Sequence, residues 1–281
     1  MHGFLTAGPA QPDAIARLLA CIFRIPLESV DVYADGEMEE RNWDAQVTCE
    51  RAVFQSGDCQ AQLVVYVDDD LPVQLSEADL AAQLAQTLNT PVLISWGTLP
   101  WMYEVVTAEG DRTFARVEGL EEGQDGVRVY ATQEPVAAFP QATVEWFPEA
   151  VRDLATPTPV ADELFPEADR RSPAGEVRAL VRLWERLLSR MASGWPPSRW
   201  YGADMYSEDL ENRDRLGLAA EALTAEDRAA ALAAMEALDT RFRAQTVDDA
   251  GAALAVALGK AEEDFRTPQW YWRRRPPALP W

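Results

Sequence analysis

Residues 45–67, AQVTCERAVFQSGDCQAQLVVYV, decide the fold class. Ala45, Val47 and Cys49 alternate with Gln46, Thr48 and Glu50, the two-residue period of a half-buried antiparallel strand. Ser56-Gly57-Asp58 supplies turn chemistry, and Leu63–Val67 is apolar on both faces, as a central strand is. Downstream, Ser76 caps a helix with Asp79 three residues on, Leu80, Leu84 and Leu88 line one face, and Pro91 stops it. Upstream, Ile15, Leu18, Leu19 and Ile22 follow helical spacing over 12–23, and Val30 and Val32 begin a strand that ends near Asp35-Gly36. Strands at 92–96, 101–106, 114–117, 127–130 and an edge strand at 143–147 complete residues 1–150. The expected order is α-β-β-β-α-β-β-β-β, an α+β domain with a mostly antiparallel sheet and two helices.

Pro157, Pro159, Pro166 and Pro173 break regular structure, so 151–172 is expected as a linker. Beyond it, Ser172-Pro173 opens the strongest helical pattern in the chain, with Val177, Leu180, Val181, Trp184, Leu187, Leu188 and Met191 on one face. Further helices are expected over 206–223, after Thr224, and after Asp248-Asp249, the last using Leu254, Ala257, Leu258, Ala261 and Phe265. Residues 173–281 therefore read as an all-α small helical bundle.

The net charge of −22 is uneven. Residues 1–150 carry 25 acids against 7 bases, whereas 151–281 carry 22 against 18. Such a field repels phosphate backbones and attracts basic partners. The only lysine is Lys260 and the only histidine is His2, which the sequence places on a frayed terminus. Ser–His–Asp and Cys–His arrangements, histidine zinc sites, CxxC and Gly-rich phosphate loops are thereby excluded as readings. A carboxylate-pair hydrolase working between the two domains is the enzymatic alternative. Cys21, Cys49 and Cys59 form an odd set; with no signal-peptide pattern and no apolar run of spanning length, they read as reduced thiols in a cytoplasmic protein with no membrane partner. No cofactor is expected.

In an antiparallel meander, alternate loops share an end of the sheet. Parity then gathers the loops at 34–40, 68–70 and 118–125: Asp35, Glu37, Glu39, Glu40, Asp68, Asp69, Asp70, Glu118, Glu121, Glu122 and Asp125, with Trp101 beside them. This acidic rim is the candidate surface for a basic protein partner. A divalent cation is the alternative occupant, although no segment has Ca²⁺-loop spacing. In the second domain, Arg178, Arg182, Arg186 and Arg190 recur every four residues and need anions; carboxylates of the bundle, the acidic first domain and a phosphate ligand are the three sources considered. Six of ten tryptophans lie there too, and they read as a cover for the bundle, with nucleobase stacking the weaker alternative.

Asp239-Thr240-Arg241-Phe242, with Thr246 and the tail Trp270-Tyr271-Trp272-Arg273-Arg274-Arg275-Pro276, resembles small helical proteins of actinobacteria with a D-x-R-F-x-x-x-T segment and a W-W/Y-W-R-R-x-P tail. The resemblance covers about 195–277 and implies a helical fold but no activity. At fold level alone, compact acidic α+β proteins are similar to immunity proteins of bacterial toxin systems. The scarcity of His and Lys and the lack of metal motifs, together with the acidic rim, lead to the expectation of a non-enzymatic interaction protein of immunity or regulatory type.

Overall fold

Phe4 and Leu5 are neighbours in sequence and both are buried, in the cores on opposite faces of one strand. That strand, β1 (His2–Thr6), pairs antiparallel with β5 (Ala61–Val67) on one side and β6 (Val92–Ser95) on the other. The chain's first residues are thus mid-sheet, not a frayed terminus. The computed structural model describes residues 1–34, 41–120, 125–261 and 269–281.

The chain is an α+β protein, and it divides between Ala150 and Val151 into two units. The remaining strands of the first unit are β2 (Val30–Ala34), β3 (Val47–Val53), β4 (Ser56–Gly57), β7 (Met102–Val106), β8 (Arg112–Gly119), β9 (Gly126–Thr132) and β10 (Thr143–Val144). They lie in the order β10-β9-β8-β7-β6-β1-β5-β3-β2. Pairing is antiparallel except for β2 with β3, β9 with β10, and β4 with β9. Two helices, α1 (Pro12–Phe23) and α2 (Glu77–Leu88), cover one face, burying Ile15, Leu19, Leu80 and Leu84 in one core with Phe4, Val47, Cys49, Leu63 and Val65. Ser76 caps α2 as its sequence suggests, its Oγ accepting the Asp79 N–H at 3.1 Å.

On the other face Leu5, Leu93, Val105, Ala115, Val117 and Val129 close around Cys59, Val136 and Phe139. The sheet curls so far that β4 reaches across to β9. Only glycine suits this approach: Gly57 has φ +92°, and a Cβ on Gly126 would lie 2.0 Å from the Ser56 carbonyl oxygen. Phe147 and Ala150 bury against Met102, Phe114 and Ala131 at the end of the unit.

In the second unit, residues 151–172 do not form a linker. Val151, Ala161 and Leu164 are buried in the unit's core, and a short helix α4 (Pro159–Glu163) packs on α5 (Pro173–Ala192). Three more helices follow: α6 (Ala203–Ala220), α7 (Ala225–Gln245) and α8 (Ala252–Leu258). Ser172 and Thr224 cap α5 and α7 through bonds from the Gly175 and Asp227 N–H groups. Gly259, at φ +62°, ends α8, so Ala261 lies beyond that helix. The expected position Phe265 lies outside the described residues.

Trp184 of α5, fully buried, anchors the core. Its ring lies 4.7 Å from Phe242 and 6.0 Å from Tyr271, centroid to centroid. Its Nε1–H donates to Asp239, which also takes two bonds from Arg213 at 3.0 and 2.7 Å. Among the described residues, no helix is long and apolar enough to cross a membrane.

Candidate functional site

Strand directions fix where the rim residues go. β5 runs down to Asp68, β7 rises from Trp101, and β8 runs down to Glu118, so these three positions share an end of the sheet. Asp68, Asp69 and Asp70 are all exposed. The Asp68 carboxylate caps its own turn, accepting the Asp70 N–H at 2.9 Å, and Trp101 is 44% exposed. Glu118 is paired with Arg128 through the guanidinium Nε at 2.8 Å.

One expectation of the parity argument does not hold. β2 runs parallel to β3, so Ala34 is level with Arg51, whereas Asp68 follows Val67, level with Val47 at the other end. The segment after β2 therefore leaves from the end opposite Asp68; the parity count assumed an antiparallel β2–β3 pair where a crossover is present. Asp125 stands just ahead of β9, at the strand end that carries Glu118, and there the curl also brings it against the Gly57 turn, where its carbonyl accepts the Gln55 and Ser56 N–H groups. Asp35, Glu37, Glu39, Glu40, Glu121 and Glu122 lie outside the described residues. Among the described residues, no group of three or more His, Cys, Asp or Glu side chains is arranged to hold a metal ion.

The unit's arginines are largely spent on its own acids. Arg17, Arg41, Arg112, Arg116 and Arg128 pair with Asp13, Asp31, Glu104, Glu145 with Glu149, and Glu118 respectively. Arg51 donates to the Ala10 carbonyl at 2.6 Å. Asp68, Asp69 and Asp70 take part in none of these ion pairs.

The arginine stripe meets main chain rather than carboxylates. Arg178 donates to the carbonyls of Ala161, Asp162 and Pro166, Arg186 to those of Arg152 and Leu154, and Arg190 to that of Val151. Only Arg182 makes an ion pair, with Asp162 at 2.9 Å. The accepting carbonyls include the C-terminal ones of α3 (Pro148–Asp153) and α4, which lack helical partners and carry the negative end of the helix dipole. The opposite pole of α4 is met by Glu185, whose fully buried carboxylate accepts the Val160 and Ala161 N–H groups at 3.1 and 2.9 Å. One helix thus holds both ends of another. Glu185 is visible in the sequence only as an acid one turn after Val181, inside an otherwise apolar stripe.

The aromatic–arginine tail is spent on closing the bundle. Tyr271 and Trp272 both donate to Asp214, the Trp272 bond measuring 2.9 Å. Arg274 bonds the Thr246 hydroxyl and carbonyl, Arg275 pairs with Asp249 at 3.2 Å, and Arg243 lies 3.9 Å from the Trp270 ring centre. The strand pair β11 (Val247–Asp248) and β12 (Arg274–Arg275) fixes the register of this closure. Thr240 donates to Glu236 at 3.5 Å and the Pro276 carbonyl accepts from Arg275 at 2.9 Å, so these residues of the motif that carries the actinobacterial resemblance have internal contacts too.

One polar pair was not singled out in the sequence. The buried Tyr201 hydroxyl donates to Asp209 of α6, within the field of Arg186 and Arg190. Burial pushes the Asp209 carboxyl up to about 7, against the bond from Tyr201 and the attraction of Arg190. Burial likewise raises the Tyr201 phenol. The signal available was weak: Asp209 follows Met205 by four residues, on the inward face of α6. No protein-family model, curated protein or solved structure matches the chain.

Proposed function

We propose that the chain is a non-enzymatic interaction protein, of immunity or regulatory type, whose first unit binds a basic protein through the strand end carrying Asp68–Asp70, Trp101 and Glu118. The observation that carries this reading is the Asp68–Asp70 turn: three consecutive exposed carboxylates, outside the ion pairs that consume the unit's arginines, at the end that also presents Trp101. Three strand spacings, roughly 14 Å along the sheet, separate the strands that carry Asp68 and Trp101, a span suited to one basic segment of a partner. Unbalanced charge speeds the encounter, and an exposed indole supplies an apolar anchor. The reading places the protein in the reducing cytoplasm. Consistent with this, Cys21, Cys49 and Cys59 are free, and burial pushes the Cys49 and Cys59 thiols up to about 12, leaving them unreactive.

The test uses an arginine-rich peptide containing one aromatic residue as the probe, followed by stopped-flow association at low and high salt. Reversing Asp68, Asp69 and Asp70 to lysine should slow association roughly tenfold at low salt. Reversing Glu109, Asp111 and Glu134, which lie at the other end of the strands, should change it less than about twofold on the same grounds. Equal slowing by both triple variants would mean that total charge alone matters and would overturn the assignment of the rim.

A further inference from the structure

The sheet of the first unit ends on two strands that are finished differently. At one end β10 has two residues, too short to offer an edge to another chain. At the other, β2 has five, with no lysine, proline or glycine to blunt it. Its one charge, Asp31, is taken up by Arg41 at 2.7 Å, on the sheet face opposite to the one where Val30 and Val32 pack with the α1 core. Among the described residues no strand lies beyond β2.

The neighbouring strands decide which main-chain groups of β2 are free. The Gln46 carbonyl accepts the Asp68 N–H and the Phe54 N–H donates to the Gln60 carbonyl, so the even-numbered residues of β3 turn their groups to β5. Val47, Cys49 and Arg51 then turn theirs to β2. With Val30 level with Val47 and Val32 level with Cys49 in a parallel pair, those bonds go to Ser29, Asp31 and Tyr33. The main chain of Val30 and Val32 therefore points out from the sheet. The Val30 N–H closes onto the Leu27 carbonyl. The Val30 carbonyl and the Val32 N–H and carbonyl are left without a partner among the described residues.

Val30 and Val32 also line an open groove of about 590 Å³ between β2 and α1. Ala16 and the half-exposed Leu27 extend its apolar lining. Asp13 and Arg17 stand on the helix side; their contact is 3.9 Å long between well-exposed side chains, so it contributes little. The unit around the groove carries 25 acids against 7 bases. A segment that fits brings an extended main chain, apolar side chains at every second position and positive charge. A second copy of this chain would bring a strand edge too, but with another net charge of −22 to repel the first.

We propose that the free edge of β2 takes an extended basic segment of a partner protein as an added strand, its main chain bonding Val30 and Val32 and its alternate apolar side chains entering the groove beside α1. The Asp68–Asp70 turn follows β5, two strands away, and this edge does not depend on it.

The probe is a short capped peptide alternating valine with arginine, titrated into the full chain and followed by backbone amide NMR and hydrogen exchange. Saturable shifts centred on Val30–Val32 are expected, with exchange of the Val32 N–H slowed roughly tenfold or more. A strand offers every second residue to each neighbour. Peptides N-methylated on one alternate set of amides should therefore lose binding, and those methylated on the other set should keep it. V32P removes an outward N–H and no bond to β3, a place where an edge strand tolerates proline, and should weaken binding roughly tenfold or more. A16W crowds the groove from α1 without touching the β2 main chain and should weaken binding too, which guards against a fold defect in V32P. The alternate-amide pattern should persist when Asp68, Asp69 and Asp70 are reversed to lysine. No saturable shift, equal effects of the two methylated sets, parent affinity in V32P, or shifts confined to Asp68–Asp70 and Trp101 would each overturn the proposal. A dimer of the free chain in sedimentation that V32P abolishes would assign the edge to a second copy and overturn it as well.

Discussion

Asp209→Asn is the substitution whose consequence can be worked out most fully. The carboxyl group is buried on α6 and accepts the Tyr201 hydroxyl. Burial raises its proton affinity from the ordinary value of 3.8 to about 7. A carboxyl with a raised folded-state value binds its proton more tightly in the native protein than in the unfolded chain. Its stabilising contribution is therefore complete below pH 3.8 and is lost as pH rises through about 7. Between those limits stability falls by about 1.4 kcal/mol per pH unit, on the order of 4 kcal/mol in all. The asparagine variant keeps an acceptor for Tyr201 and has no proton to lose. Other carboxylates titrate alike in both proteins and cancel in the difference.

The measurement is urea unfolding of both proteins from pH 5 to pH 8.5, followed by tryptophan emission, to which the second unit contributes six of ten indoles. The stability of the parent relative to Asp209→Asn should fall by about 2 kcal/mol between pH 5 and pH 7 and level off above pH 8. A difference that stays flat across this range would refute the reasoning. It would mean that Arg186 and Arg190 outweigh burial and that Asp209 is ionised in the native protein throughout.

Three further substitutions probe the supports of the two units. Glu185→Ala removes the acceptor for two α4 N–H groups and should cost about 2–4 kcal/mol in urea unfolding, with faster protease cleavage within 155–166. Gly126→Ala drives a methyl group into the Ser56 carbonyl and should cost on the order of 2 kcal/mol or more, with the amides of Ser56 and Asp58 gaining hydrogen-exchange rate. Asp214→Ala frees the Tyr271 hydroxyl and the Trp272 indole N–H together and should lower the melting temperature by several degrees while changing tryptophan emission.

How much of this could be read from the sequence follows from the reach of each interaction. Ser76, Ser172 and Thr224 announce helix starts because a cap acts on residues three positions away. The stripe from Val177 to Met191 announces α5 for the same reason: its periodicity is local. β1 stays hidden because His2–Thr6 is short and buries both faces, so no alternation marks it. The parallel β2–β3 pair stays hidden because a hairpin and a crossover can share similar turn residues and the choice rests on distant packing. The segment 151–172 looks like a linker because its prolines and short helices lack an apolar period. Its order comes from guanidiniums of α5, placed there by 12 to 39 residues of intervening chain. Of the rim, the exposed Asp68–Asp70 turn and Trp101 were legible, whereas the curl that brings Asp125 against the Gly57 turn depends on two glycines far apart in sequence.

The stripe also shows why formal charge misleads in the second unit. An arginine paired with aspartate is both hydrogen-bonded and neutralised. Bonding to a peptide carbonyl satisfies the donor and leaves the charge in place, countered only by partial charges at helix ends. Arg178, Arg186 and Arg190 take the second course, so α5 keeps a positive field in a chain of net charge −22. Burial has a matching effect on Asp209, which favours its proton and so opposes the arginines less than a solvated carboxylate would. A local excess of positive potential can thus exist inside an acidic protein without any basic cluster evident in its composition.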